Sequence, residues 1–271
     1  MHANYHSHTW RCHHATGTER EYVEAAIDAG FDLLGFSDHS PYVFPGGYCS
    51  GHRMYMRQTA DYFRTVLSLR EEYRGKIEIH AGLEIEYYPK FFKETLAFLA
   101  DYPCEYLILG QHSMFNEIES GAFWPGSPTS DVRRLEAYVN TVSEAMEREK
   151  FLYLAHPDLL NFTGDGKDYD FWYRRLCRTA KACDLPVEIN ILGISTRRSY
   201  PDMRFWRIAA EEGNRVVIGV DAHSPAQMRD RNAYEKAEAI AAEAGITPER
   251  ILRATPHNST AKSVPDFASR H

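Results

Sequence analysis

The sequence predicts an α/β protein in which parallel strands close into one barrel with an outer ring of helices. Two observations predict it: short apolar runs alternate with longer helical stretches from end to end, and no break in composition divides the chain. With 271 residues, 44% of them hydrophobic and 25% charged, the chain has the size and composition of one globular domain. We therefore expect a single domain over residues 1–271.

The predicted strands are seven apolar runs, each about as long as a buried parallel strand. Strands of this kind are covered on both faces, so they need no alternation of polar and apolar residues. In chain order the runs cover residues 3–8, 31–37, 76–84, 106–110, 152–155, 187–191 and 216–220.

The predicted helices lie between these runs. The first covers residues 18–29, where Thr18 and Glu21 form a capping box and Gly30 ends the helix. A last short helix begins at Thr247, an N-cap that is followed by a proline. The others cover residues 54–73, 90–99, 130–149, 170–182, 202–212 and 226–244.

An open, doubly wound sheet is the alternative architecture. No GxGxxG or Walker-type loop follows a predicted strand, which disfavours the nucleotide-binding form of that fold. Two longer connections, residues 40–53 and 114–129, are rich in glycine, proline, serine and aromatic residues. We expect them to be loops over a site rather than linkers between domains.

Charge and cysteine content exclude several classes of protein. The 31 basic and 38 acidic residues give a net charge of -7, which is not the footprint of a nucleic-acid-binding surface. No run of 18 apolar residues is present to span a membrane. The five cysteines are scattered, which predicts a reducing compartment rather than a disulfide framework. Because the first residues also lack the pattern of a signal peptide, we expect a cytoplasmic location.

Histidine or carboxylate residues stand at the carboxyl ends of six of the seven predicted strands. In a parallel barrel these ends converge on one face, where active sites are built. Each such residue alone also fits a structural role, but together they predict a metal site, since zinc and other divalent transition metals bind these side chains. The residues are His6, His8, Asp38, His39, Glu84, His112, His156, Asp221 and His223.

Eight short motifs follow one another from His6 to Pro225: HSHT, CHHATG, GFSDHSP, GLEIEY, GQHS, LAHPD, VEIN and GVDAHSP. Their order resembles the PHP superfamily, and more narrowly its histidinol-phosphate phosphatase branch. The resemblance implies a distorted (β/α)7 barrel, similar to a TIM barrel, in one PHP metal-dependent hydrolase domain over residues 1–271. It also implies two to three divalent metal ions, and the ligand types leave open whether these are zinc, manganese or iron.

The resemblance assigns ligands to the first two metals. Glu84, the first acidic residue of GLEIEY, would bridge them. The first metal would also be held by His6, His8 and Asp221. The second would be completed by His112 and His156.

The third metal is assigned by the same resemblance to His14, His39 and His223. In the CHHATG motif the matching residue is His14, and its neighbour His13 is the alternative. Other histidines fit no motif and are expected to be surface or local structural residues. They are His2, His52, His80, His257 and His271.

The implied activity is the hydrolysis of a small phosphate monoester, L-histidinol phosphate in histidine biosynthesis. Such esters hydrolyse extremely slowly without help, and a water bound to paired metals ionises near neutral pH. We expect in-line attack by a metal-bound hydroxide held by Glu84, Asp221 and His223, with no serine or cysteine nucleophile. Neither nucleic acid nor membrane is expected as a partner, and the oligomeric state stays open.

Loop residues are candidates for contacts with the substrate. Two arginines after the sixth predicted strand, Arg197 and Arg198, and a third, Arg53, at the end of a glycine-rich loop, could bind the phosphate group. Acidic and aromatic residues could receive the amine and the imidazole. They are Glu86, Tyr87, Phe115, Glu117 and Trp124.

Three other functions remain as alternatives. A phosphodiesterase or nuclease-like enzyme could use the same scaffold, although the chain has no basic stripe for a nucleic-acid strand. An amidohydrolase would also carry HxH on its first strand, but it leaves the set of His14, His39 and His223 unexplained. A metal cluster without catalysis would be fully ligated, with no open position for water.

Overall fold

Six strands and nine α-helices alternate along residues 2–252, which are the residues that this computed structural model describes. The rest of the predicted domain 1–271, with His257 and His271, lies outside the described residues. The side chain of His2 is also not described. Within residues 2–252, no helix is both long and apolar enough to cross a membrane.

The strands form a parallel sheet of four and a parallel pair. The longest ladder pairs the second strand with the third, from Leu33 opposite Glu78 to His39 opposite Glu84. This register places His39 and Glu84 at the same level of the sheet. The sheet contains, in spatial order, β1 (His2–Asn4), β2 (Phe31–His39), β3 (Glu78–Ile85) and β4 (Tyr106–Leu109), and the pair is β5 (Val187–Asn190) with β6 (Val216–Gly219).

Single parallel bridges connect the two sheets. Leu154 bridges to Leu109 of β4 and to Val187 of β5, while Ser7, just after β1, bridges to Ala222, just after β6. The architecture is therefore an α/β fold with a half-barrel of parallel strands. The segment predicted as a strand at residues 152–155 is not a regular strand, but its backbone still pairs with β4: Leu152 N donates to Leu107 O at 2.8 Å, and Ala155 N donates to Leu109 O at 2.9 Å.

The helices pack outside the strands, and most lie where the sequence predicts them. Helix α1 begins after Thr18, whose capping box with Glu21 is formed, and ends at Gly30 in the left-handed conformation. The nine helices are α1 (Glu19–Ala29), α2 (Thr59–Glu72), α3 (Pro89–Leu99), α4 (Val132–Arg148), α5 (Gly166–Ala182), α6 (Ile191–Ser195), α7 (Met203–Glu212), α8 (Pro225–Met228) and α9 (Arg231–Ala244).

Side-chain caps explain where helix boundaries differ from the sequence prediction. The Asp165 side chain accepts a hydrogen bond from Lys167 N, so α5 begins four residues earlier than residue 170. Asp230 caps α9, which divides the predicted helix 226–244 into α8 and α9. Asn190 caps α6, a short helix that the sequence does not predict. The segment after Thr247 is a single 3-10 turn, Pro248–Arg250.

A tyrosine at the start of β4 fills the inside of the half-barrel. The Tyr106 hydroxyl donates to the carbonyl groups of Tyr5 and Phe36, each at 2.9 Å. A Cβ atom at Gly82 would lie 2.5 Å from the Tyr106 ring, so the neighbouring strand needs a glycine there. Because this ring fills the amino-terminal part of the interior, the polar residues at the carboxyl ends of the strands form a separate, adjacent layer.

Candidate metal centre

The carboxyl ends of the strands and the loops that follow them bring all nine predicted ligands into one cluster. Backbone pairing does this for β1 and β6: His8 N donates to Ala222 O at 2.8 Å, and Ala222 N donates to His6 O at 3.1 Å. Both histidines then approach the same carboxylate oxygen, Asp221 Oδ1, at 3.4 Å from His6 Nε2 and 3.1 Å from His8 Nε2. The HxH spacing therefore places two rings on the same side of the strand ends.

Glu84 lies at the centre of the cluster, and its two oxygens face different histidines. Oε1 is 2.9 Å from His156 Nε2 and 3.3 Å from His112 Nε2. Oε2 is 3.1 Å from His39 Nδ1 and 3.5 Å from His8 Nε2. A carboxylate that faces ring nitrogens on both sides has the arrangement needed to bridge two cations.

His14 and His223 face one another at the outer side of the cluster, with 3.0 Å between their Nε2 atoms. Each Nδ1 lies within 3.0 Å of a backbone carbonyl, of Cys12 and Asp221 respectively, to which it donates its proton. The tautomer assigned in this way leaves a lone pair on both facing Nε2 atoms. His13 lies elsewhere: it is exposed and packs against Tyr55. The structure thus places His14, and not His13, in the cluster.

The buried polar atoms of the cluster test whether a metal fits. Within residues 2–252, the inaccessible cluster atoms without a hydrogen-bond partner include His6 Nε2, His8 Nε2, His39 Nδ1 and Glu84 Oε2. A buried polar atom without a partner costs about 1–3 kcal/mol. Divalent cations would satisfy these atoms, and imidazole with carboxylate is the donor set that zinc, manganese and iron accept. The residues therefore fit a divalent metal centre.

The pKa values of the cluster histidines fall into two groups. Burial lowers the pKa of His6 and His8, but nearby carboxylates outweigh it, so that the pKa of His6 is well above its usual value and that of His8 rises to about 9. Burial and the charge of His8 lower the pKa of the other group, His14, His39 and His223, and the pKa of His223 falls to about 3. The second group consequently presents neutral rings at pH 7.

The cluster carboxylates stay ionised. Burial raises the pKa of Glu84, but His112, His6 and His39 overcome it and hold this pKa well below its usual range. The pKa of Asp221 is likewise lowered, mainly by His6 and His8, against the effect of burial. Fixed negative charge beside neutral rings favours a bound cation.

Two further carboxylates hold histidine rings through the nitrogen that faces away from the centre of the cluster. Glu188 Oε1 is 2.8 Å from His6 Nδ1, and Glu86 Oε1 is 3.0 Å from His112 Nδ1. Carboxylates in this position fix the tautomer and orientation of metal-binding histidines. The sequence did not predict the contact between Glu188 and His6. Glu188 lies in the VEIN motif, but the spacing of residues along the chain does not show which histidine a distant carboxylate will contact.

Two glycines leave room for the carboxylates. A Cβ atom at Gly110 would lie 2.0 Å from Glu84 Oε1, and one at Gly219 would lie 1.8 Å from Glu188 Oε1. Since neither distance is possible for real atoms, any larger residue would displace the carboxylate. Glycine at the ends of β4 and β6 is therefore part of the site.

The structure places the three candidate arginines differently. Arg197 and Arg198 lie on an exposed turn after α6, and Arg198 Nη1 donates to Tyr200 Oη at 2.7 Å. The Tyr200 ring packs beside His156, with 5.8 Å between ring centroids. Arg53, in contrast, is completely buried in ion pairs with two glutamates. This corrects the prediction that Arg53 binds phosphate, because its guanidinium is already occupied.

A cavity of about 590 Å³ opens beside the cluster, between the two loops that the sequence predicts to cover a site. Glu117 and Trp124 line it, as expected of substrate contacts, and the Trp124 ring is nearly parallel to that of His112. Glu86 does not line the cavity, since it holds His112 instead. His52 also lines it, 3.4 Å from Glu117, and is therefore more than a surface residue.

Comparison with known proteins gives matches over most of the chain. The model of the PHP domain family matches residues 4–191, a range that includes seven of the nine cluster residues and ends before Asp221 and His223. The chain is 30% identical to a probable histidinol-phosphatase of Deinococcus radiodurans, covering 84% of this chain and 88% of that protein. It is 22% identical to the histidinol-phosphatase of Lactococcus lactis subsp. lactis, covering 90% and 91%.

Two solved structures share the fold. One is the histidinol phosphate phosphatase from Lactococcus lactis subsp. lactis in complex with zinc, L-histidinol and phosphate, with a TM-score of 0.71, 20% identity, and coverage of 90% of this chain and 94% of that one. The other is a putative histidinol phosphatase from Listeria monocytogenes, with a TM-score of 0.71, 20% identity and coverage of 86% and 99%. At this identity the likeness shows the fold alone.

Proposed function

The chain belongs to the PHP domain family, and on this premise we propose that it is a metal-dependent phosphatase that converts L-histidinol phosphate to L-histidinol and phosphate. The observation that carries the proposal is the buried cluster in which Glu84 faces ring nitrogens on both sides. The substrate is supported by the names of the Deinococcus and Lactococcus relatives and by the L-histidinol and phosphate bound in the Lactococcus structure. Histidine biosynthesis is the corresponding pathway.

We assign the cluster to two or three divalent ions, which are zinc, manganese or iron. Such ions, when bound, lower the pKa of water and neutralise phosphoryl oxygens. Glu84 would be shared between them, because its two oxygens face different rings. The residues that would hold them are His6, His8, His14, His39, Glu84, His112, His156, Asp221 and His223.

The chain's own residues supply charge, orientation and access. Glu84 and Asp221 stay ionised, and together with His223 they would face the phosphorus of the substrate. Glu188 and Glu86 keep the Nε2 atoms of His6 and His112 turned toward the centre. The adjacent cavity has the volume of an ordinary small-molecule site.

We propose Arg198 as the phosphate contact from outside the cluster, with Arg197 beside it on the same turn. The hydrogen bond ties the Arg198 guanidinium to Tyr200, whose ring packs beside His156, and a planar guanidinium suits a phosphate group. Arg198→Ala should raise the Michaelis constant without changing the metal content of the protein. An unchanged Michaelis constant would remove Arg198 from the site.

The finer statements on architecture and location are also proposals. We infer a distorted (β/α)7 barrel in a single domain, because the bridges at Leu154 and between Ser7 and Ala222 connect the half-barrel to the strand pair on both sides. A cytoplasmic location is supported by the five cysteines, all of which are free thiols.

Phosphate release from L-histidinol phosphate tests the function, with an aryl phosphate and an aryl phosphodiester as comparison substrates. The protein is first stripped of metal and then reloaded separately with manganese, zinc or iron. We expect metal-dependent turnover with a strong preference for L-histidinol phosphate. Activity on the diester alone would assign the chain to the phosphodiesterases, and activity on none of the three would contradict the proposed function.

A further inference from the structure

We propose that Arg53 is a positioning residue of the metal centre. It holds Glu86 in contact with His112, and it also pairs with Glu117 in the loop that lines the cavity. The inference rests on the proposed function, because it gives Arg53 a role toward a metal that His112 would bind. Arg53 itself contacts neither the substrate cavity nor a cluster histidine in the described part of the chain.

The guanidinium of Arg53 is the centre of a buried network of charges. Its Nη2 atom is 3.1 Å from Glu86 Oε2 and also pairs with Glu117 Oε1. The Nε atom donates to Glu117 Oε2 at 3.2 Å, and Nη1 donates to the Ser40 carbonyl at 2.7 Å. Arg53 and Glu86 have no exposed surface, so solvent does not screen these contacts.

Two carboxylates share one guanidinium nitrogen in this network. Arginine keeps its charge in proteins, so Arg53 compensates both glutamates at once. Removing it would leave Glu86 and Glu117 facing each other in a buried place, and a buried charge without its partner is strongly unfavourable. Glu86 would then have to move, and this movement breaks its present contact with His112.

Glu86 is the connection between Arg53 and the metal centre. One of its oxygens pairs with Arg53, and the other lies 3.0 Å from His112 Nδ1. That contact turns His112 Nε2 toward His156 Nε2, 3.1 Å away, and toward Glu84 Oε1. The position of Arg53 therefore sets the direction in which His112 presents its lone pair.

The same guanidinium joins three segments that surround the cavity. Ser40, which accepts from Nη1, follows β2, and its own N–H donates to Glu84 O at 2.8 Å. Glu86 follows β3, and Glu117 belongs to the loop that lines the cavity. Lysine has a single nitrogen and cannot contact all three segments in these directions, so the site requires arginine.

Metal affinity of purified protein, measured by competition with a chromophoric chelator, tests the inference without reference to turnover. In Arg53→Gln we expect about 10–100-fold weaker binding of one metal equivalent, the usual effect of losing an outer hydrogen-bonding partner. Arg53→Lys should recover part of the loss. Glu117→Gln is the matched control, since it contacts the same guanidinium but not His112, and it should bind metal as the wild type does.

Several outcomes would overturn the proposal. Unchanged metal affinity in folded Arg53→Gln would do so, and so would an equal loss in Glu117→Gln. If Arg53→Gln does not fold, Arg53→Lys decides: wild-type affinity in that variant also contradicts the inference. A wild-type protein that binds metal but does not hydrolyse L-histidinol phosphate would instead contradict the proposed function and leave the role of Arg53 intact.

Discussion

At the scale of single residues, Glu84 matters most because both halves of the cluster meet at its carboxylate. One oxygen serves His112 and His156, and the other serves His8 and His39. No other carboxylate among the described residues approaches so many rings. Its charge is thus the feature that a substitution tests most directly.

Glu84→Gln keeps the shape of the side chain and removes its charge. We expect a loss of metal and a fall in phosphate release of about 10³-fold or more, since metal-assisted charge stabilisation is worth several kcal/mol. Metal analysis and a turnover assay measure the two effects, with Glu119→Gln as an exposed control whose side chain pairs with Lys90 and Asn116. Near-normal turnover with full metal content would refute the bridging role. Circular dichroism checks that the fold is kept.

His80 gives a separate test of charge, away from the metal centre. Burial lowers its pKa, but hydrogen bonds with Glu105 and Glu78 overcome this and raise the pKa above its usual value. A raised pKa in the folded state contributes stability below about pH 6.5, the unfolded value, and this contribution is lost as pH rises through the folded value. His80→Gln should therefore lower the free energy of unfolding more at pH 6 than at pH 9, by urea denaturation. An equal loss at both pH values would contradict this reasoning.

At the scale of elements, the strand ends determine the site because each one delivers a side chain at a fixed level. The pairing of His39 with Glu84 in the β2–β3 ladder is one case, and the bridge between Ser7 and Ala222 is another. A residue just after a strand end must also leave space for the side chains of the neighbouring strand. At Gly110 this side chain is Glu84, so a larger residue at position 110 would disturb the site.

Gly110→Ala should displace Glu84, because the new Cβ atom would lie 2.0 Å from its Oε1. The expected result is weaker metal binding and a fall in turnover of about 10-fold or more, with the barrel still folded. Gly166→Ala in α5, where nothing lies within 4 Å of the added atom, is the control and should leave both quantities unchanged. If Gly110→Ala binds metal like the wild type, the close packing at this strand end is not required.

At the scale of the whole molecule, we expect the fold to form without the metal. A large cluster of buried aromatic and aliphatic side chains covers the outside of the half-barrel, and a second, smaller cluster around Tyr106 fills its inside. A core of this size is sufficient for a stable domain. Metal should add to stability without creating it.

Removal of metal by a chelator should leave far-ultraviolet circular dichroism unchanged and unfolding cooperative. Adding metal back at 100 times its dissociation constant should stabilise the fold by about 2.7 kcal/mol per site. For a domain of this length that corresponds to a rise in Tm of about 5–10 °C, measured by calorimetry. Loss of helical signal on chelation would show that the cluster is needed for folding.

The sequence predicts most elements because local rules decide them. The capping box at Thr18 and the glycine stop at Gly30 fix α1 at the expected boundaries. The departures arise where a cap or a neighbour decides the outcome: Asp230 divides the last long helix, and the segment around Leu154 pairs with β4 and β5 without forming a regular strand. Such effects depend on three-dimensional contacts, which hydrophobic periodicity does not contain.

The sequence by itself predicted the α/β class and the polar residues at the strand ends, because these residues follow apolar runs at regular places. Only the tertiary structure decided that His14 rather than His13 joins the cluster, and that Glu188 holds His6. It also showed Arg53 buried against Glu86 instead of open to phosphate. The physical reason is that the type and spacing of ligand residues can be read along the chain. The partner of a buried charge, in contrast, depends on which distant segment packs against it in the folded protein.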